Sequence, residues 1–262
     1  LDGFDLFPAA FGSARHLELL AEAMRITHLA RRELEAQNLL PRQQVPRLLG
    51  PATVARWQGV LRDLLQRPAA ERALDTVQPA MPSTTQISVM DEDGLVVSLT
   101  TSGGEGAGFI VPGTGVILNN MLGEADLHPQ GFHKSPPGQR IPSMMAPTVV
   151  LRGGAPELAL GSGGANRIRS AIVQVLLNSL AGQMPLTQAV AAPRIHFEEG
   201  VMQVEAGHDA AAIDALAAAG YRVNRWQSQH MYFGGVHAVA RVDGGFAAVG
   251  DARRGGAAVN DE

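Results

Sequence analysis

The spacing of apolar and polar residues divides the chain into a helical first part and a mixed second part. Apolar residues recur at helical spacing over residues 13–37, with Ser13 as a capping residue, and again over residues 52–67, which Pro68 closes. Residues 73–83 are polar and contain prolines, so they are predicted to form a linker. From residue 84 onwards, short stretches of alternating apolar residues predict strands.

The first of these strand pairs is a β-hairpin that opens in an unusual way. Its apolar alternation is supplied on either side of an Asp93-Gly94 turn by Ile87, Val89, Leu95, Val97 and Leu99. The hairpin begins, however, with Ser83-Thr84-Thr85. A buried strand gains little from such a polar start, whereas a strand whose first residue is a nucleophile gains a good deal.

The remainder of the chain predicts further strands and helices in mixed order. We expect a short strand at 116–120, two strands around a Gly-Gly turn over 146–164, a helix over 166–182, and then strand, helix and strands at 202–207, 209–220, 221–226 and 235–250. This order suits an α+β fold in which helices cover sheets.

Composition excludes several classes of function. The 262 residues suffice for one large domain or two small ones, and 45% of them are apolar. A net charge of −4 gives no general attraction to nucleic acid or to an anionic membrane. The absence of cysteine excludes disulfides, thiolate metal ligands and a cysteine nucleophile. These properties do not distinguish the cytoplasm from the periplasm, and no signal peptide is visible.

Motifs for cofactors and metals are absent or incomplete. The segment GSGGANR lacks the Lys-Ser/Thr of a phosphate-binding loop, and LGSGG lacks the first glycine of a nucleophile elbow. His128 and His133 lie in a loop without further residues at metal-ligand spacing. We therefore expect neither a cofactor nor a metal.

Thr84 has a route to nucleophilic chemistry. A threonine hydroxyl is a weak nucleophile until a base removes its proton, and an N-terminal threonine carries its own base, the α-amino group. Attack of the Thr84 hydroxyl on the Ser83 carbonyl would give an ester, and its hydrolysis would leave Thr84 at a new N-terminus. The alternative is that this segment is a strand with a polar start and has no catalytic role.

Five ordered segments, between about Thr84 and His196, resemble the γ-glutamyltransferase family: TTQISVMDEDGLVVSLTTS, VPGTGVILNN, SMMAPTVVL, GSGGANRI and AVAAPRIH. The resemblance implies an N-terminal-nucleophile hydrolase with a four-layer αββα sandwich, made as a precursor that cleaves itself. Residues 1–83 then resemble the tail of a large subunit and its linker, and residues 84–262 a small catalytic subunit. The sandwich is expected to be incomplete without an upstream segment.

The resemblance also assigns roles to catalytic residues. It makes Thr84 the nucleophile and Ser83–Thr84 the cleaved bond. Ser102 takes the position of a threonine that supports the nucleophile's amine. Gly164 and Ala165 take the positions of two glycines whose N–H groups form an oxyanion hole, and the alanine keeps its N–H. Gln86 stands where the family has a histidine.

The pocket for the acyl group departs from the family pattern. Ser143 matches the first of two serines that bind the substrate's α-carboxylate, and Glu124 matches an acid that binds its α-amino group. Met144 replaces the second serine, Met121 replaces a glutamine, and a shortened loop leaves Glu105 near the position of a lost asparagine.

The resemblance therefore implies a self-processing amide hydrolase or acyl transferase that acts on γ-glutamyl compounds such as glutathione, or on a related amide. The altered pocket keeps a related acylase or a polyglutamate-type transferase open. An unprocessed, non-catalytic binding protein is a further alternative. The expected partners are a small amide substrate, the upstream segment and further copies of the protein.

Overall fold

The computed structural model of the chain describes residues 1–4, 6, 11–36, 41–72, 83–128, 131–138 and 140–260. Its helices are Ala14–Ala36 (α1), Pro41–Leu48 (α2), Pro51–Gln66 (α3), Arg167–Leu176 (α4), Leu186–Ala191 (α5) and Ala210–Ala218 (α6). Its strands are Ser83–Met90 (β1), Val96–Gly104 (β2), Thr148–Arg152 (β3), Ala155–Gly163 (β4), Ile195–Glu198 (β5), Val201–Val204 (β6), Arg222–Arg225 (β7), Gly235–Val242 (β8) and Gly245–Val249 (β9). None of the described helices has the length and apolar character to cross a membrane.

Most elements predicted from periodicity are present. Helices α1 and α3, the β1–β2 hairpin, the β3–β4 pair and helix α4 all lie where the patterns placed them, and α4 continues into a π-helical turn at Leu177–Ala181. The α+β class is therefore confirmed. Helices α2 and α5 and strand β5 were not predicted, and the linker before Ser83 lies outside the described residues.

The strand predicted at 116–120 is wrong. Residues 107–118 instead form a narrow loop, in which an isolated β-bridge joins Ile110 and Ile117 and backbone hydrogen bonds join its two sides. The reason is the Pro-Gly-Thr-Gly turn at its tip, where Gly113 (φ 77°) and Gly115 (φ 69°) adopt left-handed conformations that interrupt extended pairing.

The chain forms two compact units, of which the first comprises Leu1–Val77 and Ile195–Ser228. Helix α1 packs on strand β5, on α3 and on α6. Strand β6 lies between β5, which is antiparallel to it, and β7, which is parallel. The two units are defined by the compactness of the fold and not by cleavage of the chain. The processing boundary expected at residue 84 therefore stays a prediction.

The first unit encloses a charged cluster. The Glu22 carboxylate is fully buried and bonds Arg25 at 2.9 Å and Arg72 at 2.7 Å. The Tyr221 hydroxyl donates to the same carboxylate at 2.6 Å, and burial together with Glu22 raises the pKa of Tyr221. Removing one member of such a cluster typically costs about 3–5 kcal/mol, because it leaves a buried charge uncompensated.

The second unit comprises Gln78–Arg194 and Gln229–Glu262 and contains three layers. A four-stranded antiparallel sheet has the order β3-β4-β8-β9. Helices α4 and α5 cover one face through an apolar core that includes Leu158, Leu160, Ile168, Val175 and Val236. The β1–β2 hairpin packs against the other face, on β4 and β8. The helix layer, the four-stranded sheet and the two-stranded hairpin match three layers of the αββα sandwich that the sequence resemblance implies.

The hairpin presents a mostly polar face to the sheet, apart from Met90 and Val96 beside its turn, and it presents most of its apolar side chains outwards. Ser88 donates to the His237 carbonyl at 2.9 Å, and Ser98 donates to the Leu160 carbonyl at 2.8 Å. The outward face is 41–64% exposed at Ile87, Val89, Leu95, Val97 and Leu99. These five side chains are called the outer hairpin face below.

Candidate active site

Thr84 lies at an irregular point of the β1–β2 ladder. Ser83 is paired with Gly104 and Thr84 with Ser102, so Gly103 has no partner and the register shifts between Ser83 and Thr84. Bulges of this kind bend a strand and re-aim its side chains, and they are common beside active sites. The irregularity coincides with the bond that the sequence predicts to be cleaved.

The Thr84 hydroxyl is held by its cross-strand neighbour. Thr84 Oγ1 and Ser102 Oγ share a hydrogen bond of 2.9 Å, and Ser102 Oγ also accepts the Gly104 N–H at 3.0 Å. Both hydroxyl side chains are half-buried. This arrangement fixes the direction of the Thr84 oxygen, while the support of an α-amine by Ser102 stays a prediction.

The end of β4 approaches the Thr84 main chain. A Cβ at Gly163 would overlap the Thr84 carbonyl oxygen and lie 3.0 Å from its carbon. The next two residues have positive φ, 131° at Gly164 and 52° at Ala165, which is uncommon for alanine. Helix α4 begins directly afterwards, with Arg167 N–H donating to the Gly164 carbonyl at 3.0 Å. Its N-terminus favours negative charge in this region.

One small cavity unites most of the predicted site residues. It is lined by Thr84, Ser102, Met121, Glu124, Ser143, Met144 and Ala165, together with Leu127, Met145 and Ile168, which the sequence did not single out. Its volume is about 20 Å³, enough for about one water molecule. Gly164, Glu105 and Ser83 are not in the lining. An acyl chain therefore enters only if flexible side chains such as the methionines move.

Glu124 is the acidic member of this cavity. Its side chain is 7% exposed, and its Oε1 accepts the Glu105 N–H at 3.2 Å. A Cβ at Gly104 would overlap Oε1 of the same carboxylate and displace it, and the positive φ of 63° also favours glycine there. Glu105 thus contributes its backbone, and its own side chain is exposed.

Gln86 connects strand β1 to the neighbouring strands. Its buried amide donates to the Ser88 and Ser98 hydroxyls at 3.0 and 2.9 Å and accepts the Thr100 hydroxyl at 2.5 Å. A Cβ at Gly161 of β4 would overlap the Gln86 amide. The network fixes β1 two residues beyond Thr84.

Arg254 is a neighbour of the site that sequence reasoning missed. Its guanidinium lies 3.5 Å from the Cβ positions of both Gly163 and Gly164, and its Nη2 donates to the Met231 carbonyl at 3.3 Å. Burial and the nearby Arg167 lower the pKa of Arg254. The available signal was the Arg-Arg pair in a short segment rich in glycine near the end of the chain.

The two loop histidines do not form a metal site within the described residues. His128 is buried and its ring lies 5.5 Å from that of Phe132, while His133 is exposed with a positive φ of 60°. Across the part of the chain that the structure describes, no three His, Asp or Glu side chains are grouped so that they could hold a metal ion.

Comparisons of the sequence place the chain among known proteins. The family model described as "Gamma-glutamyltranspeptidase" matches residues 1–260. The Acylase ACY 1 proenzyme of Pseudomonas sp. (strain SE83) is 35% identical over 242 residues, which cover 92% of this chain and 42% of that protein. The Glutathione hydrolase proenzyme of Bacillus subtilis (strain 168) is 29% identical and matches 99% of this chain and 47% of its own length. The chain spans less than half the length of these two curated relatives.

Solved structures agree with this placement. A gamma-glutamyltranspeptidase from Pseudomonas nitroreducens, solved in complex with L-DON, superposes with a TM-score of 0.59 at 28% identity. The match covers 68% of this chain and 100% of the matched chain. The Bacillus anthracis transpeptidase CapD superposes with a TM-score of 0.55, also at 28% identity, over 68% of this chain and 99% of its own.

Proposed function

The chain belongs to the gamma-glutamyltranspeptidase family, and on that premise we propose that it carries the nucleophile of a self-processing amide hydrolase or acyl transferase, with Thr84 as that nucleophile. The observation that carries the proposal is the position of Thr84. Its hydroxyl is held by Ser102 at 2.9 Å on the wall of a cavity that Ala165 also lines. A nucleophile on a rigid strand beside a cavity is the arrangement that such catalysis requires.

Processing would use the same hydroxyl as catalysis. Thr84 Oγ attacks the Ser83 carbonyl carbon, the Ser83–Thr84 C–N bond breaks, and the Thr84 nitrogen takes up the proton lost by the hydroxyl. Water then hydrolyses the resulting ester, which leaves a carboxylate on Ser83 and a free hydroxyl and amine on Thr84. The strand irregularity at this bond supports the proposal, because it distorts the ladder where attack is needed.

Turnover would follow the same sequence on an external amide. The Thr84 amine accepts the hydroxyl proton as Oγ attacks the substrate carbonyl, and it returns that proton to the departing amine. Water or a second amine then takes the acyl group from the ester. The N–H groups of the Gly164-Ala165 turn and the α4 N-terminus would stabilise the oxyanion, and loss of one such donor typically costs about 3–4 kcal/mol of transition-state stabilisation.

Two acyl donors are supported by different observations. The glutathione hydrolase relative favours γ-glutamyl compounds such as glutathione. The acylase relative, which has the higher identity, favours a related acyl amide, and so do Met121 and Met144 in the cavity wall. Both donors use the same Thr84 chemistry.

The outer hairpin face supports an upstream partner. Five apolar side chains, 41–64% exposed, continue over one side of the hairpin. Such a patch marks an interaction surface. We propose that the upstream part of the gene product covers it, so the isolated 262-residue chain would be inactive and would gain activity when that part is co-expressed. Robust turnover by the isolated chain would contradict this proposal.

Substitution of Thr84 in the full-length gene product tests the proposed nucleophile. Thr84→Ala should abolish hydrolysis of γ-glutamyl and other acyl p-nitroanilides, whereas Thr84→Ser should retain part of it because a hydroxyl remains. Thr85→Ala is the matched control, since Thr85 is an exposed threonine outside the cavity, and it should keep activity. A Thr84→Ala protein as active as the unmodified one would refute the proposal.

A further inference from the structure

The hydroxyl groups of the cavity are already bonded within the chain. Thr84 and Ser102 bond each other, and Ser102 also accepts the Gly104 N–H. Ser143 Oγ accepts the Met145 N–H at 3.1 Å. A substrate group that needs several new hydrogen-bond acceptors therefore has to compete with existing contacts.

The acid of the cavity is engaged as well. Glu124 Oε1 accepts the Glu105 N–H at 3.2 Å and packs directly against the Gly104 Cα. The Met121 Cγ lies against the same glycine, 3.4 Å from its Cβ position. A thioether side chain thus lies beside the carboxylate, where a second polar partner for a cation would have to be.

The remaining walls are apolar. They are formed by Met121, Leu127, Met144, Met145, Ala165 and Ile168. An ammonium group has three N–H donors and needs acceptors for each of them when it leaves water. Here it would find one carboxylate and three hydroxyl groups that already make hydrogen bonds within the chain, while the other walls are thioether and alkyl groups.

From this distribution we propose that the site prefers acyl donors whose aliphatic chain carries no ammonium group. The proposal deepens the proposed function and rests on it, because it concerns the acyl group that Thr84 would carry. An amide of a simple or carboxylate-bearing aliphatic acid meets the methionine wall without burying unsatisfied N–H donors. A γ-glutamyl amide buries its ammonium at the position where Met121 adjoins Glu124.

Two pairs of substrates isolate the ammonium group. Glutaryl and L-γ-glutamyl p-nitroanilide differ only in that group, and so do butanoyl and 4-aminobutanoyl p-nitroanilide. With the full-length processed gene product, the ammonium-bearing member of each pair should have a kcat/KM about tenfold to a hundredfold lower, because hydrogen bonds lost on burial cost that order of affinity. An equal or higher kcat/KM for the ammonium-bearing member of either pair would overturn the proposal.

Variants locate the effect in the cavity wall. Met121→Gln and Met144→Ser add acceptors, so each should raise the γ-glutamyl-to-glutaryl ratio of kcat/KM. Leu122→Gln is the matched control, because Leu122 adjoins Met121 but is 71% exposed and outside the lining. A ratio that rises equally in the control, or in none of the variants, would contradict the assignment.

The proposal and its premise fail separately. If Thr84→Ala keeps full activity, the proposed nucleophile is wrong whatever the acyl preference. If Thr84 is essential and γ-glutamyl amides are nevertheless the better member of their pair, only the inference about the acyl group fails.

Discussion

Two glycines of β4 face β1 and allow a sharp comparison of what each contact contributes. A Cβ at Gly161 would overlap the Gln86 side chain, which can move, whereas a Cβ at Gly163 would overlap the Thr84 carbonyl oxygen, which belongs to the main chain. Gly163→Ala therefore forces strand β1 itself to shift at Thr84. Gly161→Ala forces only an amide to leave its network.

The magnitudes follow from these contacts. In Gly161→Ala, overpacking costs about 1–3 kcal/mol and the displaced Gln86 amide about 1–3 kcal/mol more. In Gly163→Ala, the overpacking is of the same order, and a displacement of Thr84 by about 1 Å would slow both processing and turnover by about a hundredfold. At about 2–4 °C per kcal/mol, each variant should lower the thermal midpoint by several degrees.

The assay measures thermal unfolding and the extent of cleavage before Thr84 in the same preparations of the full-length gene product. Adding Gln86→Ala to Gly161→Ala should recover part of the stability, because it removes the overlapping side chain. Adding it to Gly163→Ala should recover none. Gly59→Ala, in helix α3 with open space around its Cβ position, is the control and should not destabilise. Normal processing and an unchanged midpoint in Gly163→Ala would refute the reasoning.

Two further predictions concern Gln86 and the buried His16. Gln86→Met keeps the length of the side chain and removes its hydrogen bonds, so it should lower the free energy of unfolding by about 1–3 kcal/mol in urea denaturation; no loss would show that the network does not stabilise the hairpin. Burial, and then His208, lower the pKa of His16 from 6.5 to about 4, so the neutral form is favoured in the folded state. Because the pKa of His16 is lower in the folded than in the unfolded state, the unfolded state takes up a proton first as the pH falls. The contribution of His16 to the free energy of unfolding is therefore complete above pH 6.5 and falls by up to about 3 kcal/mol as the pH falls towards 4. His16→Asn, which keeps an acceptor for the Gly12 N–H, should flatten this dependence in unfolding experiments between pH 7 and pH 4, and an unchanged slope would contradict the assignment.

The hairpin shows what alternation predicts and what it leaves open. The period of two and the Asp93-Gly94 turn correctly indicated two paired strands. They did not indicate which face meets the neighbouring sheet. That face is polar around Gln86 and Ser98, because their hydrogen bonds to β2 and to the β4 carbonyls satisfy it, while Ile87 and Leu99 point outwards. Periodicity distinguishes the two faces of a strand, and only the partner decides which one is inside.

The candidate site was predictable to different degrees. Thr84 and Ser102 are neighbours through hairpin register, which the sequence could indicate. The approach of Gly163 to Thr84 joins residues far apart in the sequence, so local patterns do not contain it. The family resemblance pointed only to the next two residues, Gly164 and Ala165, as an oxyanion hole. Arg254 was missed because a charge in a loop is usually solvated, and its position depends on how the last turn folds back on β8.

The central claim is that Thr84 becomes an N-terminus by its own chemistry, and the mass of the purified full-length gene product tests it most directly. The account predicts two fragments, the smaller one beginning at Thr84, and a single uncleaved chain for Thr84→Ala. Thr84→Ser should give the same two fragments more slowly. One intact chain in the unmodified protein would contradict the account and favour an unprocessed binding protein. Cleavage that persists in Thr84→Ala would exclude the intramolecular route.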